Sequence, residues 1–255
     1  MNNIKKRFYR TAESITKKIL SIEKKTNNQN FKKMVRSAIY NTNLSKNKLL
    51  YSEIKEIKYV MHSSDWISKK LFIDRSFDDQ ILKKAIKVLK IKKNRNTLIN
   101  IGAHIGSTCI PALKKKYFKS LIAFEPSKKN FNLLVANIFL NNLGKKAKIF
   151  NLALSNRKNL LKLKKFQNSG DYRIVEGRNK NLELIESDIL DNYTKGLNKK
   201  NALIFMDAQG HEPLIFMGSK LTLNKKIPIV FVRACRVAID VLLKDKMMAV
   251  HVENR

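Results

Sequence analysis

Residues 97–126 read TLINIGAHIGSTCIPALKKKYFKSLIAFEP, and this stretch decides the fold. An apolar run, TLINI at 97–101, breaks at Gly102-Ala103-His104-Ile105-Gly106. A helical pattern follows at about 107–117, and a second apolar run, SLIAFE at 120–125, stops at Pro126. Strand, glycine turn, helix and strand make the repeating unit of a parallel sheet, because parallel neighbours need a crossover that covers one face. Glycine at 102 and 106 lets the backbone turn tightly and approach a ligand, and the amino end of the next helix offers free N–H groups. Gly-x-x-x-Gly by itself also serves helix packing, so Glu125 adds the decisive weight. It lies about 20 residues beyond the glycines, where a Rossmann-like sheet places the acid that accepts both ribose hydroxyls. The turn lacks the G-x-G-x-x-G spacing that suits a pyrophosphate, which favours an adenosyl ligand over a dinucleotide.

Working outward, further strands are expected at AKIFNLAL (147–154), ALIFMD (202–207) and PIVFV (228–232), with helices at about 128–141 and 212–221. The fold class is therefore α/β: a mostly parallel, doubly wound, Rossmann-like sheet with ligands at the carboxyl ends of its strands. Residues 1–60 carry no glycine or proline and place Ile15, Ile19, Ile22, Phe31, Met34, Val35 and Ala38 at helical spacing. They read as a helical extension, with a loop near Lys24, Lys25 and TNNQN. The catalytic domain is expected over 61–255. It opens with a short β segment in HSSDWISKKLFIDRSF (62–77) and a helix in DDQILKKAIKVLKIKK (78–93), and its core motifs span 97–232. The tail at 233–255 loses the Lys/Asn bias and is short for two antiparallel strands with their connections, so shortened C-terminal strands and an incomplete sheet are expected.

Four segments, LINIGAHIG (98–106), AFEPSKKNFNLLVANIFLNN (123–142), NLALSN (151–156) and IFMDAQGHEPLIFMGSKLTL (204–223), resemble in that order the motifs of the FkbM family of S-adenosylmethionine-dependent methyltransferases. The resemblance runs over about residues 92–232 and implies the class I methyltransferase fold. It also implies methyl transfer from S-adenosyl-L-methionine to a hydroxyl of a sugar, glycan or secondary metabolite. By that similarity Gly102, Ala103, His104 and Gly106 line the methionine part of the cofactor, and Glu125, followed by Pro126, holds its ribose. His104 replaces the family's usual asparagine, and Asn137 matches a helix position assigned to structure. Asn100 stands where the family carries an acid, which removes a charge facing the cofactor's ammonium and implies weaker binding. Phe205 stands where the family often has lysine.

Methyl transfer is an in-line displacement, so an enzyme chiefly aligns acceptor oxygen, methyl and sulfur, and a nearby base can take the hydroxyl proton. Asp207, Gln209, His211 and Glu212 cluster at the end of the fourth expected strand of the sheet. Asp207, His211 and Glu212 are the catalytic candidates: His211 has a suitable unperturbed pKa, and Asp207 is placed to orient the acceptor or the cofactor's amino group. The plainer alternative has Asp207 and Glu212 capping the next helix and His211 exposed in a loop.

Lys and Arg number 53 against 20 Asp and Glu, a net charge of +33. The excess is nearly all lysine, spread along the chain among Asn and Ile, with no Arg-rich tract, zinc finger or aromatic RNA-binding motif. Solvated lysine faces therefore rank ahead of an anionic partner, and no specific nucleic acid is expected. Cys109 and Cys235 sit in apolar runs without zinc or disulfide spacing, and His62, His104, His211 and His251 are too far apart for a metal motif, so no metal site is expected. No apolar stretch approaches the 18 to 20 or so residues that span a bilayer, and a cytoplasmic location is expected. Two rival functions follow from the same residues. One is a degenerate, non-catalytic methyltransferase fold with weak cofactor binding; the other is a basic RNA-binding or RNA-modifying protein with steep salt dependence.

Overall fold

The computed structural model describes residues 21, 25–43, 49–77, 79–90, 95–177, 182–198, 200–231 and 249–251. Ile15, Ile19, Ile22 and Cys235 lie outside them, as does most of the tail. In chain order the elements begin with α1 (Gln29–Asn43), β1 (Leu49–Ile54), β2 (Ile57–His62), α2 (Trp66–Asp74) and α3 (Asp79–Val88). Next come β3 (Arg95–Ile101), α4 (Cys109–Lys114), β4 (Phe118–Phe124) and α5 (Lys128–Leu140). β5 (Ala147–Phe150), β6 (Ala153–Leu154), β7 (Asn159–Lys164), β8 (Arg173–Val175) and β9 (Leu182–Asp188) follow. The last elements are β10 (Ala202–Met206), α6 (Glu212–Met217), α7 (Lys220–Asn224), β11 (Ile229–Phe231) and β12 (Ala249–His251).

Six strands form the main sheet in the order β12-β11-β10-β3-β4-β5, every neighbouring pair parallel. This is a Rossmann-like α/β fold. Alternation along each strand divides the core between two faces. Leu98, Leu121, Ala123, Leu203, Phe205 and Val230 join the cluster under α4 and α5. Ile99, Ile101, Phe124, Ile204, Met206, Ile229 and Phe231 join the cluster that buries Ile215 and Phe216 of α6. The chain runs outward from β3 to β4 and β5, then returns to lay β10 on the other side of β3. The switch point thus falls between β3 and β10, where a ligand crevice opens at the carboxyl ends.

Helix was expected to residue 60 but ends at Asn43 in the described segment, and β1 and β2 pair antiparallel from Leu49 to His62. The reason is periodicity: β1 buries every second residue, Leu50, Ser52 and Ile54, and Lys55 and Glu56 both take positive φ, 50° and 65°, as a type I′ hairpin requires. The exposed edge of β2 is closed by two buried asparagines four residues apart, Asn137 on α5 and Asn141 at its C-cap. Asn137 accepts from Val60 N at 2.6 Å and donates to Val60 O at 3.1 Å, while Asn141 accepts from Lys58 N at 3.0 Å and donates to Lys58 O at 2.7 Å. Asn137 also donates to Ile105 O in the glycine turn at 2.9 Å, which gives it the structural role its position implied.

The short β segment expected in 62–77 is instead α2. Asp65 caps it, its carboxylate accepting from Ile67 N at 2.9 Å and Ser68 N at 3.3 Å, and Ile67, Leu71 and Phe72 are buried on one face. The single strand expected at 147–154 divides into β5 and β6, which belong to different sheets. Asn151 interrupts it by donating to Glu125 O at 2.9 Å and Pro126 O at 3.0 Å. The helix expected over 212–221 divides at Gly218-Ser219 into α6 and α7, and the chain there passes so close to its neighbour that a Cβ at Gly218 would lie 2.1 Å from Ser155 O. β7, β8 and β9 of the second sheet, β6-β9-β7-β8, have no counterpart among the expected strands, and β7 pairs antiparallel with both β8 and β9. The sixth strand of the main sheet, β12, lies parallel to β11, and both are three residues long.

Candidate functional site

At the carboxyl ends of β3, β4 and β10, one cavity is lined by Gly102, Ala103, His104, Glu125, Pro126, Asp207 and His211. Adjacent strand ends press together there. A Cβ on Gly102 would stand 2.1 Å from Asp207 O, and Gly102 holds φ at +76°, so only glycine fits. Gly106 holds φ at +88°, and a Cβ there would meet Ile110 at 2.6 Å, so it serves the packing of the turn on α4 rather than the cavity wall. His104 sits in the left-handed region at φ 52°, a conformation Asn and His adopt more readily than most residues. The turn can therefore carry a histidine ring without leaving that conformation.

Glu125 bridges the ends of β3 and β4. Its buried carboxylate accepts from His104 N at 2.8 Å on one oxygen, and from Ser127 N at 3.0 Å and Asn130 Nδ2 at 3.5 Å on the other. Burial pushes the carboxyl up to about 7, against the lowering effect of these three donors. Asn100 lies on the opposite sheet face from the neighbouring Ile101, is not part of the cavity wall, and reaches Phe205 O at 3.5 Å. Its Oδ1 is buried and without a hydrogen-bond partner.

The loop after β10 turns on Gln209 and Gly210, with φ of 54° and 97°. Gln209 donates to Asp207 Oδ1 at 2.9 Å. His211, buried at the start of α6, shares a hydrogen bond of 3.0 Å between Nε2 and Ser155 Oγ, and burial lowers its pKa. Glu212 is completely buried and lies outside the cavity wall. Its Oε1 accepts from Ala208 N at 3.0 Å and closes the loop before α6, a bond that caps no helical N–H. Of the three catalytic candidates, the fold thus brings Asp207 and His211 to the cavity and turns Glu212 inward.

The profile described as Methyltransferase FkbM domain matches residues 100–246, more than half of the chain. The chain belongs to the FkbM methyltransferase family. Among solved structures, the FkbM methyltransferase from Methylobacillus flagellatus is 16% identical, with 51% of this chain and 30% of that chain covered and a TM-score of 0.35. A putative transferase from Pyrococcus horikoshii is 18% identical, with 49% of each chain covered and a TM-score of 0.32. The M. jannaschii protein TYW2, solved in complex with AdoMet, is 17% identical, with 42% and 44% covered and a TM-score of 0.31. The matched region thus spans less than half the length of these three relatives. No curated protein matches.

Two residues that sequence reasoning missed enter the FkbM site from outside its four motifs. Ser169, from the loop between β7 and β8, lines the cavity and shares a hydrogen bond of 2.6 Å between its Oγ and His104 Nε2. Asp65, the cap of α2, accepts from Ser169 N at 3.0 Å and from Ser169 Oγ. An acidic residue before a helical pattern was the available signal for Asp65; for Ser169 no local signal exists, because its partners lie 65 and 104 residues away. Among the described residues no group of three or more His, Cys, Asp or Glu side chains is arranged to hold a metal ion, and no helix is long and apolar enough to cross a membrane.

Proposed function

We propose that this FkbM protein transfers the methyl group of S-adenosyl-L-methionine to a hydroxyl on a sugar, glycan or secondary metabolite, with residues 61–255 carrying the reaction. One observation carries the reading: the glycine turn after β3, the acid after β4 and the polar loop after β10 converge on one cavity at the switch point of the sheet. The residues suit an adenosyl ligand. Gly102 keeps the turn free of side chain, and Glu125 presents a carboxylate with lone pairs beyond those taken by its three donors. Asn100, buried outside the cavity wall, takes no part in this reading. Ala103, Gly106 and Pro126 shape the turn and strand end around that ligand. When bound, the cofactor would supply an electrophilic methyl; the protein's part is to orient the acceptor, with Asp207 and His211 on the facing wall. No metal enters this reading.

Calorimetric titration with S-adenosylhomocysteine tests it, comparing wild type with Glu125→Ala. Binding by wild type that is lost in the variant, followed by methyl transfer to a hydroxylated acceptor in a screen of sugars and polyols, is the expected result. A folded wild type that binds nothing would favour the rival reading of a fold that no longer turns over. That reading draws on one observation, that both Glu125 oxygens already accept protein N–H groups.

A further inference from the structure

Resting on that function, we propose that His104 is the base of the transfer, with Nδ1 receiving the acceptor's proton, and that Ser169 and Asp65 are positioning residues that fix its tautomer. Asp65 is an acceptor on both oxygens: one receives the N–H groups of Ile67 and Ser68, the other the N–H and hydroxyl of Ser169. The Ser169 proton is therefore committed to the carboxylate. Its oxygen can only accept from the ring 2.6 Å away, so His104 Nε2 must carry the imidazole proton. That leaves Nδ1 as a bare lone pair. It belongs to a cavity-lining residue and is buried with no partner among the described residues, a condition that is unfavourable in a histidine that only packs.

The charged and titratable groups around the ring come from four elements. Asp65 at the start of α2 favours the imidazolium; Lys129 of α5 opposes it. Glu125 at the end of β4 holds the His104 backbone N–H, and the Tyr172 phenol lines the same cavity. Burial outweighs Asp65 and keeps the imidazole below its usual pKa, so the ring is a neutral base at neutral pH. Asp65 itself is pushed up by burial, but the Ser169 and Ser68 donors, joined by His104 once its ring is charged, bring it below the usual carboxylate range. In the reaction the acceptor oxygen bonds to the methyl carbon as its O–H proton passes to Nδ1, and the carbon–sulfur electron pair stays on sulfur. The resulting imidazolium faces Asp65 through Ser169 until its proton leaves to solvent. His211, the histidine favoured by sequence, has its Nε2 on Ser155 and only burial acting on its pKa, and so lacks the carboxylate that would stabilise its charged form.

Long-range nitrogen-15 NMR of the histidine rings in the free, full-length protein is the first test. An Nε2–H tautomer for His104 with a pKa under 6.5, lost as a fixed tautomer in Ser169→Ala, is expected; an Nδ1–H tautomer overturns the assignment. Because this measurement needs no cofactor, its failure is distinct from a failure to bind S-adenosylhomocysteine. The second test uses radiolabelled S-adenosylmethionine with the acceptor that wild type methylates fastest. His104→Asn, which suits the left-handed turn and keeps the backbone N–H that Glu125 accepts, should lose kcat by about 10²–10⁴, a larger factor than any change in its S-adenosylhomocysteine affinity. Asp65→Asn should move the acidic limb of the kcat profile to lower pH. Unchanged kcat in His104→Asn, or limbs that do not move, would overturn the proposal.

Discussion

Glu125 is a carboxylic acid whose burial raises its pKa from 4.5 to about 7 while its expected task, accepting ribose hydroxyls, needs the ionised form. Two consequences have opposite signs. For folding, a raised pKa stabilises the native state below the unfolded value, and that contribution is lost as pH rises through about 7, amounting to roughly 3 kcal/mol above it. Glu125→Gln should therefore match wild type near pH 4.5 and gain on it in urea titrations at pH 8. For binding, S-adenosylhomocysteine affinity should be constant above about pH 8 and weaken as pH falls through 7, approaching tenfold per unit, with the slope absent in Glu125→Gln. Equal slopes in the two proteins would show that the carboxyl does not meet the ligand. At Gly102 the constraint is steric. Gly102→Ala would put a methyl 2.1 Å from Asp207 O in a positive-φ turn, and a loss of about 3 kcal/mol or more is expected in the urea midpoint.

Between elements, α5 works as a substitute strand for the hairpin. Asn137 satisfies both backbone groups of Val60 and the carbonyl of Ile105 at once. Asn137→Ala would leave three backbone groups without this partner, the part-buried N–H and C=O of Val60 and the buried carbonyl of Ile105, and about 3 kcal/mol should be lost with the urea m-value unchanged. A falling m-value would mean instead that β1 and β2 detach separately. The same elements show what the sequence made legible. β3, β4 and β10 are continuous apolar runs with partners on both sides, and such runs can be read one strand at a time. The hairpin and α2 could not be: their apolar spacing is ambiguous over short windows, and the cap that Asp65 provides shows only once α2 has formed. The site divides likewise. Gly102, Glu125 and Asp207 end strands and are visible as such, whereas the burial of Glu212 and the Asp65–Ser169–His104 chain depend on contacts across 65 to 104 residues or on loop closure, which spacing does not encode.

For the molecule as a whole, the excess of 53 basic over 20 acidic side chains sets a field that folding must compress. Self-repulsion among like charges destabilises the compact state, and salt screens it, with a Debye length of about 30 Å at 0.01 M and about 3 Å at 1 M. The hydrophobic core on both sheet faces is indifferent to this screening, so the thermal midpoint should rise as sodium chloride is increased over that range. The identity of the anion then separates two origins of the effect. If lysines form solvated faces, chloride and sulfate at equal ionic strength should stabilise nearly alike, apart from the general salting-out advantage of sulfate at high concentration. If the lysines converge on a site for an anionic partner, millimolar phosphate or sulfate should raise the midpoint well beyond equal ionic strength of chloride, through mass action on the native state. A midpoint that falls with added chloride would mean that native ion pairs outweigh the net repulsion, contrary to the reading of the charge as solvated faces.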